Sequence, residues 1–281
     1  TGQLSNACDA FGQASELGWS SRFANAALWG SRYQALTFVA RGRLEDASSQ
    51  LQHDMERARD AGMTNGAAYA ALLVGRGELR YERNDLTGAR EDLSNALRLA
   101  REAGDAKILM NVHVALALLE AAEGHQREAM EAARTAIRVF DGTGERALEA
   151  RLALRYGDLP QVRRWMDTYI AGTGDQPSFR HGEAEQLMLA RGFLATGQID
   201  RARSFLVALV READASDRGG TALSIRILLA HVEEASGERE RAEEYARDVI
   251  DFAMRERYGQ CVRDRIFQPE KCIPGINWLD I

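Results

Sequence analysis

The sequence predicts an all-α protein, a superhelical solenoid of stacked helical hairpins with a repeat of about 40 residues. The first observation is a phrase that returns. The opening "TGQLSNA", Thr1 to Ala7, reappears as "TGQIDRA" at Thr196 to Ala202. Its pattern is a glycine followed five positions later by a small residue. Gly2 pairs with Ala7, Gly42 with Ala47, Gly124 with Ala129, Gly197 with Ala202 and Gly237 with Ala242. Asn84 with Ala89, and Gly157 with Val162, are the degenerate copies. Successive anchors are 40, 42, 40, 33, 40 and 40 residues apart. The second observation lies seven residues before each anchor after the first: Ala35, Gly77, Ala117, Ala150, Ala190 and Ala230 are all small. Helices that stack closely need a small residue where their backbones approach. The third observation is composition. Alanine, leucine, arginine and glutamate dominate, and these side chains lose little freedom in a helix.

Taken in order, Gly2 leads into a single amphipathic helix, and each later anchor sits between two helices. The stretch before an anchor is apolar, as in "KILMNVHVALALLEAAE" before Gly124. The stretch after it is amphipathic, as in "REAMEAARTAIRVF", and both have helical spacing. The unit is therefore helix A, a tight turn at the anchor, and helix B. Glycine, or asparagine in its place, tolerates the left-handed conformation that ends a helix. Helix B itself often closes on glycine, in "ARDAGM" (Ala58 to Met63) and "AREAGD" (Ala100 to Asp105). The arrangement is that of tetratricopeptide (TPR) hairpins with longer helices. Residues 1 to 257 are expected to form one continuous solenoid of six hairpins after the lone helix B, with residues 258 to 281 as a tail. The shortened step between Gly124 and Gly157 marks a subdomain border near Asp141 to Gly144. Thr1 falls at the turn of a repeat, so the chain reads as a segment of a larger protein.

Charge and composition exclude several function classes. The net charge is -6, with arginine and glutamate mixed along the chain, so no basic face for direct nucleic-acid contact is expected. No apolar run approaches the length of a membrane span, and the start has no signal-peptide pattern. The cysteines Cys8, Cys261 and Cys272 suit a reducing cytoplasm better than a disulfide framework. His53, His113, His125, His181 and His231 show no metal-ligand spacing, so no metal site is expected. "GTGERA" (Gly142 to Ala147) follows a helix rather than a strand and reads as an interhelical turn, not a phosphate loop. No nucleophile elbow points to catalysis, and no enzymatic activity or catalytic residue is expected.

Three stretches carry a family resemblance: "LRYERNDLTGAREDLSNALRLAREAGD" (Leu79 to Asp105), "GDLPQVRRWM" (Gly157 to Met166) and "LMLARGFLATGQIDRARSFLVALVREADASDR" (Leu187 to Arg218). Across roughly Ala26 to Arg257 the chain resembles the helical-repeat region of MalT-like, LuxR-family large ATP-binding transcriptional regulators. In that family an ATPase module and a winged-helix region precede the repeats, and a helix-turn-helix domain follows them. This sequence contains no phosphate-loop motif and no helix-turn-helix after Arg257, so no cofactor is expected in it; ATP belongs to the absent N-terminal module. The resemblance implies a cytoplasmic effector-sensing domain. Its partners would be a small-molecule or peptide inducer and the other domains of the same regulator, with a homo-oligomer left open. The alternative is a TPR adaptor that docks a partner peptide.

In TPR stacks helix A lines the concave face. The same assignment here puts the inner positions 13, 10, 6 and 3 residues before each anchor. They select Trp29, Arg32, Glu78, Tyr81, Asn111, Arg151, Arg191, Ser224 and His231 as candidate ligand-binding residues, with Leu36 and Glu234 at the same register. Arg151 and Arg191 occupy equivalent positions in adjacent units and are expected to share one groove. Trp29 and Tyr81 offer stacking surfaces, and Trp165, on a helix B, is expected in the core.

Overall fold

The computed structural model describes residues 3–139 and 143–258. Among them are thirteen α-helices and one 3-10 helix. Helix α1 (Gln3–Ser20) stands first. Six hairpins follow: α2 (Ala24–Ala40) with α3 (Leu44–Asp60), α4 (Ala67–Glu82) with α5 (Leu86–Ala103), α6 (Ala106–Ala122) with α7 (Gln126–Val139), α8 (Thr143–Arg155) with α9 (Leu159–Thr173), α10 (Glu183–Ala195) with α11 (Ile199–Ala215), and α12 (Gly219–Ala235) with α13 (Arg239–Glu256). This is the expected all-α repeat of TPR-like hairpins. Gly2, Cys261, Cys272 and the tail from residue 259 onward lie outside the described residues. No described helix is long and apolar enough to cross a membrane. Contacts divide the chain into two compact units, Thr1–Phe140 with Ser216–Gly220, and Asp141–Ala215 with Thr221–Ile281. The first is built on α1 to α7 and the second on α8 to α13.

Each anchor makes the same turn. Gly42, Gly124, Gly157, Gly197 and Gly237 have φ between 77° and 83°, and Asn84 has φ 63°. At all six, the amide one residue beyond the anchor bonds back to a carbonyl five residues earlier. Arg43 N to Phe38 O (2.9 Å) and His125 N to Glu120 O (2.8 Å) are two examples. This is the Schellman closure, which satisfies carbonyls that the helix end would leave bare. The ends of helix B repeat it at Gly62 and Gly104, and also at Arg22 and Arg257, where φ is 61° and 58°. Those two residues carry a Cβ into the left-handed region at a cost of about 1–2 kcal/mol each. Asp85, Asp105 and Asp158, each just past a turn, cap the following helix by accepting from Gly88 N, Ile108 N and Gln161 N at 2.9 to 3.0 Å. Such a cap contributes about 1 kcal/mol.

The two small-residue positions of the sequence meet inside the hairpin. A Cβ added to Gly77 would stand 3.0 Å from the Leu93 side chain and 3.5 Å from the Ala89 carbonyl oxygen. Gly77 lies seven before its anchor and Ala89 five after it, so the paired positions mark the crossing of helix A over helix B. Ala35, Ala117, Ala150, Ala190 and Ala230 are buried at the equivalent points of helix A, and Ala47, Ala129, Val162, Ala202 and Ala242 on helix B. A second close approach joins α1 to α2. A Cβ on Gly30 would come within 2.8 Å of Ser15 N, and one on Gly18 within 2.6 Å of Ala27 N.

Neighbouring hairpins are also tied by a polar bracket. Arg90, six residues past its anchor, donates to Glu120 at 2.8 Å and to Glu123, which sit four and one before the next anchor. Arg203 stands six past Gly197 and donates to Glu233 at 3.0 Å and to Ser236 at those same two positions. Between the first two hairpins the roles are reversed: Arg83 donates to Ser48 at 3.0 Å and pairs with Glu45 at 3.0 Å.

Two departures from regularity are informative. The short step from Gly124 to Gly157 is shared between α7 (14 residues) and α8 (13 residues). Thr143 to Ala147 of "GTGERA" form the first turn of α8 rather than a loop. The next step has the normal length but a different layout. Residues 174–182 form a linker containing the 3-10 helix Phe179–His181. Pro177 explains it, since proline disfavours helix for the residue before it. The linker is pinned by Tyr169, which donates to His181 O at 3.0 Å, and by Gln186, which accepts from Ser178 N at 3.0 Å. Trp165 stacks on Tyr169 with ring centres 5.1 Å apart and packs half-buried against the core of the second unit.

The crossing point supplies a stability prediction. Ala117→Leu or Ala190→Leu overpacks a fully occupied contact and should cost about 1–3 kcal/mol. A drop in Tm for each variant is the expected result of thermal melts. Melts superimposable on the parent would show that these positions do not mark the crossing.

Candidate ligand-binding site

The first unit contains a cavity of about 240 Å³ among α2, α4 and α6, the A helices of three consecutive hairpins. It is lined by Trp29, Arg32, Tyr33 and Leu36 from α2, Ala71, Val74 and Glu78 from α4, and Lys107, Ile108 and Asn111 from α6. The constant register of the repeat produces this convergence. Trp29, Ala71 and Asn111 all lie 13 residues before their anchors, Arg32 and Val74 lie 10 before, and Leu36 and Glu78 lie 6 before.

Arg32 is the central polar group. It is only 6% exposed, and its Nη2 donates to Glu78 at 2.8 Å. It lies flat on α4 because residue 75 is glycine: a Cβ there would stand 2.6 Å from Nη1. A buried charge needs such a partner, since desolvation of an unpaired ion is costly. The wall is aromatic. Trp29 stacks on Tyr33 at 6.0 Å, Tyr33 on Phe11 at 5.3 Å, and the Lys107 ammonium lies 5.9 Å from the centre of the Tyr33 ring. The floor, Ala71, Val74 and Ile108, is apolar and buried. The polar groups of the lining include the Arg32 guanidinium, the Lys107 ammonium, the Glu78 carboxylate, the Asn111 amide and the Tyr33 hydroxyl.

Four of the residues selected by sequence, Trp29, Arg32, Glu78 and Asn111, thus share one cavity. Tyr33 and Lys107 belong with them and were not selected. The signal was present for Tyr33, which lies four residues from Trp29 on the same helix face. Tyr81 sits elsewhere, packed in a core cluster with Leu93, Ala115 and Leu119. The other candidates belong to the second unit. Arg191 and Ser224 are buried, while Arg151 and His231 are half-buried. His231 neighbours Arg191; burial above all, and the Arg191 charge after it, push its imidazole down to about 4.

One cluster outside the cavity has the elements of a metal site. Glu120, Glu123 and His125 bring one ligand atom each within 4.8 Å of the others. The Arg90 guanidinium already occupies both carboxylates, and its hydrogen bond holds the Glu120 carboxyl below the usual range. The cluster therefore has its cation in the protein.

The family model described as the MalT-like TPR region matches residues 1–262. Among solved structures, BtubC (BKLC) from P. vanneervenii is similar at 15% identity, with 90% of each chain covered and a TM-score of 0.41. A Podosopora anserina protein of the kinesin light chain type, with nearly identical TPR-like repeats, is 18% identical over 82% of this chain and 97% of its own, with a TM-score of 0.37. No curated protein matches the chain at a significant level.

The depressed His231 pKa sets a pH dependence. The unfolded chain takes up this proton near pH 6.5, whereas the folded chain takes it up only near 4, so stability rises with pH between the two. Relative to His231→Gln, the parent should lose roughly 3 kcal/mol as the pH falls through that window. Urea unfolding of both proteins at several pH values measures it. Parallel curves throughout would contradict the burial argument.

Proposed function

The chain belongs to the MalT-like TPR region family, and on that premise we propose that it is the effector-sensing domain of a MalT-like, LuxR-family transcriptional regulator. Its inducer occupies the cavity between α2, α4 and α6. The result of binding passes to the ATPase and DNA-binding modules that the resemblance implies for the parent protein. Repeat domains of this kind are generally non-catalytic, and this one is read the same way.

The observation that carries the proposal is Arg32. A buried guanidinium, seated on a glycine and held by Glu78 beside an aromatic wall, is a costly arrangement for packing alone. Mixed aromatic and polar lining in a cavity is the usual make-up of a small-molecule site. An adaptor for a partner peptide calls instead for an open groove with a continuous charged strip. A ligand in this cavity touches three successive hairpins at once. It therefore braces them against one another, and binding is converted into rigidity of the repeat.

A metabolite library screened by thermal shift on the full chain is the test. A ligand at about 100 times its Kd should stabilise the fold by about 2.7 kcal/mol. Trp29→Ala and Asn111→Leu should abolish the shift while leaving the unliganded fold in place. If every binder raises the Tm of both variants as it does the parent, sensing is not located in this cavity and the proposal fails.

A further inference from the structure

Two cations and one carboxylate face the cavity, and their balance says what kind of ligand it accepts. Arg32 and Lys107 are positive, and Glu78 is the lone acidic residue in the lining, so one positive charge is in surplus. Among the described residues the hydrogen bonding of Arg32 is confined to Glu78, through Nη2, which leaves the rest of its fork without an acceptor. A guanidinium fork binds a carboxylate strongly because both the charge and the paired N–H geometry match. Asn111, half-buried on α6 and making no side-chain hydrogen bond among the described residues, adds an amide donor on the facing side. Lys107 is exposed at the start of α6 with its ammonium beside the Tyr33 ring. The remaining lining is the Trp29–Tyr33 stack and an aliphatic floor, which can accept an apolar body and offers it no polar partner.

From this balance, and resting on the sensing role proposed above, we infer that the effector is a small monocarboxylate with a flat or apolar body. Its carboxylate lies between Arg32 and Lys107, within reach of Asn111, and its body lies against Trp29. The single surplus charge selects one anionic group. A dianion would leave its second charge beside Glu78, and an amine would meet two cations. The size points the same way: at about 240 Å³ the cavity lies just below the usual range of small-molecule pockets, which suits a compact ligand such as an aryl acid.

Three probes of one shape separate the charge argument from the site argument. Phenylacetate, phenylacetamide and phenethylamine are titrated into the full chain, and the indole N–H signals are followed by NMR, with Trp29 identified from the Trp29→Phe spectrum. Phenylacetate should move the Trp29 signal saturably and bind about tenfold more tightly than the amide, because a charge-assisted hydrogen bond is replaced by a neutral one. The amine should not compete. Lys107→Met, at an exposed position, should weaken phenylacetate about fivefold and leave phenylacetamide unchanged. Arg32→Gln should remove the preference for the acid; Lys107→Met keeps the test decisive if that buried substitution disturbs folding. Equal binding of acid and amide overturns the charge inference and leaves the cavity as the sensing site. No shift of Trp29 with any probe, or a shift of another tryptophan alone, overturns the inference too. In that event the library screen judges the sensing role separately.

Discussion

The whole architecture depends on how closely helix A and helix B of each hairpin approach. At the crossing, seven residues before the anchor on one helix and five after it on the other, the chain admits no side chain larger than alanine on helix A. Gly77 shows the limit, since even a methyl group there would touch Leu93 at 3.0 Å. A close crossing fixes the rotation of each helix about its axis. The left-handed anchor then fixes the axial position, because its amide bonds reach back to defined carbonyls. With rotation and translation both set, every helix A presents the same sequence positions to the same side.

That constancy brings residues far apart in sequence to one cavity. Trp29, Ala71 and Asn111 are 42 and 40 residues apart, yet they occupy one cavity because each stands at the same distance from its own anchor. The repeat gives the positions, and departures from the repeat give the chemistry. Small or aliphatic residues at Ala71 and Val74 leave room for the guanidinium of Arg32 and the ring of Trp29. Gly75, outside the inner register, removes the last obstruction beneath Arg32.

The hairpins and anchors were legible in the sequence because glycine at a left-handed turn and alanine at a crossing are chosen for a backbone reason that leaves little freedom. The turns at Arg22 and Arg257 were not, since a residue with a Cβ was placed there at some strain and carries no compositional mark. The linker 174–182 was hidden by length: the step across it is a normal 40 residues, and Pro177 alone betrayed that the helices are shortened. At the site, the register identified Trp29, Arg32, Glu78 and Asn111, whose side chains leave helix A toward the same side. It passed over Tyr33 and Lys107, which stand 9 and 17 residues before their anchors and so outside the four positions chosen. It also selected Tyr81, although three residues before the anchor the side chain meets the following hairpin, so Tyr81 packs on Ala115 and Leu119. Neighbouring helices decide such cases, and a single repeat does not show its neighbours.

The polar brackets between hairpins bear on how such a chain can change over generations. Arg90 with Glu120 and Arg203 with Glu233 are the same lock built twice, at the same two positions of the unit. A hairpin ending in one lock is compatible with the hairpin that follows the other, so a gene duplication or recombination joining them produces a matched seam at once. The seam between α3 and α4 is keyed the opposite way, with arginine on the incoming helix. Joining that incoming helix to a hairpin that supplies its own arginine would set two guanidinium groups face to face. At these three seams the charges at the module edges thus favour some junctions over others.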